Sequence, residues 1–74
     1  MDSVIIRKID LPTGVNGITV LDENGDYNIY INDNISHDQQ GAAFRHEIEH
    51  IKQGHFYTYE DLLALEEQAE YGVV

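Results

Sequence analysis

Asn24-Gly25 stands between two β-rich runs, Gly17 to Leu21 and Tyr27 to Asn32, and this arrangement constrains the chain more than any other feature. Asn-Gly suits a tight hairpin because both residues tolerate the left-handed backbone region that such turns require. With Asn24 and Gly25 as the two central residues, Val20 opposes Ile29 and Ile18 opposes Ile31 on one apolar face, while Thr19 and Tyr30 fall on the other. Val4 to Leu11 reads as a further strand, closed by Pro12-Thr13-Gly14.

Past Asn32 the composition turns from β-branched residues to helix formers. Ser36 followed by Gln39 forms a capping box, and Gly54 supplies a C-terminal stop, so a helix is expected from about His37 to Gln53. Phe44, Ile48 and Ile51 recur at four and three residues, a stripe suited to packing on the apolar face of the sheet. Thr58 with Asp61 resembles a second cap, and Leu62, Leu63, Leu65 and Ala69 outline a second amphipathic helix of about Tyr59 to Tyr71, ended by Gly72. The expected fold is one α+β domain over residues 1–74, a small three-stranded antiparallel sheet followed by two helices.

Charge and length narrow the function. Fourteen acidic residues against four basic ones leave a net charge of -10 on 74 residues, a field that repels phosphate. Nucleic acid and anionic membrane are therefore not expected partners, whereas cations and basic proteins are. A chain this short buries only about 60% of its unfolded surface, so the core is thin and a bound ion would matter to stability. The absence of cysteine removes disulfides and thiolate metal sites, so any metal must sit on His, Asp or Glu. No secretory signal and no run of 18 apolar residues is present, and a soluble, cytoplasmic protein is expected.

His46-Glu47-Ile48-Glu49-His50 is a literal HExxH within the first helix. Residues four apart share a helix face, so both imidazoles can reach one Zn²⁺ ion, with Glu47 beside them as general base for an activated water. Ile48 belongs to the core stripe, which directs the flanking polar residues away from it. A catalytic zinc takes three protein ligands. His55 is one candidate, although the extended pattern HExxHxxGxxH would place its glycine and last histidine where Gln53 and Phe56 stand. Glu66, Glu67 and Glu70 of the second helix are the others; Glu66 and Glu70 share a face.

The run from Tyr30 through Tyr57, with the HExxH at its centre, resembles the ImmA/IrrE family of metallo-endopeptidases, and Glu66-Glu67-Gln68-Ala69-Glu70-Tyr71 is similar to the Glu-x-x-Ala pattern of that family's second helix. The resemblance implies a minimal zincin-like domain of gluzincin type. It implies His46, His50 and Glu66 as zinc ligands and Glu47 as the catalytic base. It departs at Glu49, where the family often carries a small residue.

The implied activity is zinc-dependent hydrolysis of a peptide bond in a regulatory setting, such as cleavage or inactivation of a basic helix-turn-helix repressor in a mobile element. His55, Tyr57, Tyr59 and Tyr71 are the candidate donors to a developing oxyanion, and Tyr27 to Asn32 is the expected edge strand for an extended substrate. Two other classes are a non-catalytic zincin-fold module that binds protein around a structural zinc, and a small interaction protein in which the HExxH is incidental.

Overall fold

The computed structural model of the chain describes residues 3–64. In chain order it comprises β1 (Val4–Ile9), β2 (Gly17–Leu21), β3 (Tyr27–Asn32), α1 (His37–Gln53) and β4 (Tyr57–Thr58), after which residues 59–64 are helical. The architecture is α+β. None of the described helices is long and apolar enough to cross a membrane.

The sheet has four strands in the order β1-β3-β2-β4, with β1 parallel to β3, β2 antiparallel to β3 and β4 parallel to β2. The three-stranded antiparallel sheet expected from the sequence is thereby corrected to a mixed one. Burial explains the order. Strand β3 holds Ile29 and Ile31 in the core and buries Asn28 and Asn32 on its other face, so it needs a neighbour on each side. Strand β1 carries Arg7 and Lys8 and is exposed along most of its length, as an edge strand should be. The link from β1 to β2 therefore passes over the end of β3, where Asn32 Nδ2 donates to the carbonyls of Val15 (2.9 Å) and Leu11 (3.4 Å).

The hairpin forms where Asn24-Gly25 places it, but its register differs by one residue from the expected pairing. Thr19 opposes Ile29 and Gly17 opposes Ile31, whereas Val20 opposes Asn28. The cause lies in Asp22. Its Oδ1 accepts from the amides of Asn24 (2.9 Å) and Asp26 (3.0 Å), and Gly25, at φ 81°, donates its amide to the Asp22 carbonyl at 3.2 Å. Asp22 and Asp26 thus close a three-residue loop, a turn followed by a left-handed glycine, in place of a two-residue one. One added loop residue moves every side chain of β2 to the opposite face. Thr19 and Gly17 consequently face α1, and Ile18 and Val20 turn away from it.

Helix α1 has the expected bounds. Ser36 Oγ accepts from the Gln39 amide and Gln39 Oε1 accepts from the Ser36 amide, each at 3.1 Å, and Gly54 caps the C-terminus at φ 74°. Ile35, Phe44, Ile48 and Ile51 pack on a small core of Ile29, Ile31 and Ala43, so the apolar stripe read from the spacing faces the sheet.

Candidate metal centre

The site begins with the spacing on α1. His46 and His50 lie one turn apart with their rings edge to face at 84° and 4.4 Å between centroids, and their Nε2 atoms are 2.9 Å apart. Two nitrogens at about 2.0 to 2.1 Å from one tetrahedral ion are separated by about 3.3 Å, so the imidazoles need to part by only a few tenths of an ångström. His46 is exposed and His50 half-buried, which leaves the pair open to solvent on one side.

Glu47 occupies the sheet side of the same turn and is 6% exposed. A buried carboxylate requires hydrogen bonds, and Thr19 Oγ1, reaching across from β2, donates to Glu47 Oε1 at 2.9 Å. Thr19 is itself 2% exposed. Gly17, two residues earlier on the same strand face, lets the helix come close: a β-carbon there would lie 3.3 Å from Glu47 Cγ, from Ile31 Cδ1 and from the Tyr30 carbonyl oxygen. One donor atom from each of His46, Glu47 and His50 falls within 4.8 Å of the others, a group able to hold a metal ion.

These residues line a cleft of about 880 Å³, a size within the range of ligand-binding sites. One wall is α1, through Gln39, Ala42, Ala43, His46, Glu47 and His50; the opposite wall is the Gly14–Asn16 loop and the start of β2. The chain leaving α1 closes one end with His55, Phe56 and Tyr57. Phe56 is anchored by an edge-to-face contact with Tyr27 at 5.1 Å between centroids.

The expected edge strand is corrected here. Tyr27–Asn32 lies between β1 and β2, so both of its edges are paired. Among the described residues β4 pairs with β2 at Val20 and Leu21 alone, so the edge beside the cleft is the Gly17 end of β2. The amide of Asn32 donates to the Asn16 carbonyl at 2.9 Å, and alternation then directs the backbone of Gly17 and Thr19 away from β3.

The other candidates separate clearly. His55 and Tyr57 line the cleft, and the His55 ring centroid lies 6.2 Å from that of His50; Tyr59 is exposed and does not line it. Glu49 faces solvent and pairs with Lys52 at 4.0 Å, a surface contact of little energetic weight. The expected cap at Thr58 is present, with the Thr58 amide and hydroxyl donating to Asp61 Oδ2 at 2.9 and 3.0 Å. Glu66, Glu67, Glu70 and Tyr71 lie outside the described residues, as does the rest of the helix expected to reach Tyr71. Thr19 and Gly17 are the site residues that sequence reasoning missed. Asp22 three residues before Gly25 was the available signal, because an aspartate there can close the longer loop and turn both residues toward α1. Comparison of the chain with protein-family models, with curated proteins and with solved structures gives no match.

Proposed function

We propose that this chain is a zinc-dependent endopeptidase with the minimal gluzincin-like site of the ImmA/IrrE kind. The observation that carries the reading is the convergence of His46, His50 and a buried, hydrogen-bonded Glu47 on one cleft beside the Gly17 end of β2, which among the described residues has no strand partner on that side. His46 and His50 would hold Zn²⁺, and Glu66 is the proposed third ligand. When bound, the ion supplies Lewis acidity toward the scissile carbonyl and the attacking water. Glu47 takes the proton of that water and returns it to the leaving amine. His55 and Tyr57, which line the cleft, are the proposed donors to the developing oxyanion. An extended peptide is proposed to add to β2 at Gly17 and the Thr19 amide, its backbone satisfied by the strand and its side chains read by the cleft walls. A charge of -10 favours a basic target, and a helix-turn-helix repressor is the proposed substrate class.

Because Glu47 belongs to the same 4.8 Å donor group, a second reading has it as a ligand of a structural ion in a non-catalytic binding module. Elemental mass spectrometry separates the two. About one zinc per chain, lost in His50→Ala and Glu66→Ala but kept in Glu47→Gln, together with peptide hydrolysis abolished in Glu47→Gln, supports the peptidase. Loss of zinc in Glu47→Gln with Glu66→Ala unaffected supports the structural ion. Absence of zinc from the wild type, even after addition at neutral pH, removes both and leaves an interaction domain with an incidental HExxH.

A further inference from the structure

We infer that Thr19 is a positioning residue for Glu47, holding the carboxylate in its working orientation through the hydroxyl rather than merely filling the core; this rests on the peptidase reading above. Three observations support it. The position lies opposite Ile29, a residue of the apolar core, and a valine would occupy the same shape. The hydroxyl spends its proton on Glu47 Oε1 at 2.9 Å. Thr19 is also rigid, since a β-branched side chain in a strand has little χ1 freedom and this one is 2% exposed.

Glutamate by contrast has three rotatable side-chain bonds, and a general base must be held closely to its productive geometry. Thr19 fixes one end of Glu47 through Oε1, and the missing β-carbon at Gly17 leaves the space that its stem occupies at Cγ. Together they leave one carboxylate oxygen for the cleft that Glu47 lines. The donor comes from β2, the strand whose Gly17 end borders that cleft, so the base and that strand end are set by one element.

Cobalt substitution tests this without relying on hydrolysis. Co²⁺ is added to wild type, Glu47→Gln, Thr19→Val, Thr19→Ala and Thr19→Ser, and stoichiometry and the visible d–d spectrum are recorded. All should bind about one ion, Glu47→Gln should shift the bands, both Thr19→Val and Thr19→Ala should reproduce that shift, and Thr19→Ser should restore most of the wild-type spectrum. Including alanine beside valine keeps the comparison decisive if one variant does not fold. With a fluorescently labelled basic peptide as the probe, Thr19→Val should lower kcat by roughly 10- to 100-fold at nearly constant KM. A wild-type spectrum in both donor-less variants while Glu47→Gln shifts would overturn the inference alone, as would a serine variant as altered as valine. A Glu47→Gln spectrum identical to wild type overturns it too, because the positioned group would not reach the ion. Failure of the wild type to take up cobalt overturns the metal site itself, and this inference with it.

Discussion

Thr19 Oγ1 and Glu47 Oε1 meet at 2.9 Å between strand β2 and helix α1, residues 28 apart in sequence. The contact exists only because the hairpin pairs Thr19 with Ile29; in the register that a two-residue Asn-Gly turn imposes, Thr19 would point away from the helix. The turn at Asp22 to Asp26 therefore acts on the candidate site at a distance, through the face on which β2 presents its side chains.

That dependence makes the turn a test. Gly25→Val demands a left-handed backbone from a β-branched residue at φ 81° and should cost about 1 to 2 kcal/mol. Urea unfolding should show a lower midpoint with the slope unchanged. An equal midpoint would mean that the turn readily adopts another geometry, and the link from turn to register would fail.

Gly17→Ala probes the close approach of β2 and α1. The new methyl would meet Glu47 Cγ and Ile31 Cδ1, which can yield, and the Tyr30 carbonyl oxygen, which is backbone, all at 3.3 Å. Destabilisation of about 1 kcal/mol is expected. Hydrolysis of a labelled basic peptide should fall by far more than the small change in folded fraction accounts for, because the displaced side chain is the proposed base. Full activity in a destabilised variant would show that Glu47 tolerates the shift.

Acid stability should depend on Asp22. Its carboxyl titrates below the ordinary aspartate value because the Asn28 side-chain amide, and then the backbone amides of Asp26 and Asn24, donate to the charged form. A pKa lowered by folding gives a contribution that is complete above the unfolded value of about 3.9 and is lost as pH falls through the lower folded value. Asp22→Asn should melt below the wild type at neutral pH, and the gap should narrow below about pH 4. A gap independent of pH would show that the aspartate charge contributes nothing.

Zinc removal should unfold the domain more easily. Among the described residues the buried apolar core is only Val20, Ile29, Ile31 and Ala43, so a native-state ligand carries weight. At a free ion concentration 100-fold above Kd the ion contributes about 2.7 kcal/mol, and its chelation should lower Tm by roughly 10 to 20 °C. Calorimetry with and without EDTA decides; an unchanged Tm after verified removal would sink the coupling of metal to folding.

Helix α1, its two caps, its core stripe and the shared face of His46 and His50, with Glu47 beside it, were all legible in the amino-acid order. Each is a local property, decided by residues three or four apart. The hairpin was legible as well, from Asn24-Gly25, but its register was not. Whether an Asn-Gly turn takes two residues or three depends on where the Asp22 side chain places its bonds.

The strand order, the edge left beside the cleft and the partners of Glu47 were decided by packing. Placing β3 at the centre required comparing how deeply three strands can be buried, and joining Thr19 and Gly17 to Glu47 required a sheet and a helix to meet across 28 and 30 residues of chain. Short-range preferences carry no information about such distances. Position along α1 set which donors share a face; the approach of β2 decided that the glutamate among them is buried, bonded and oriented.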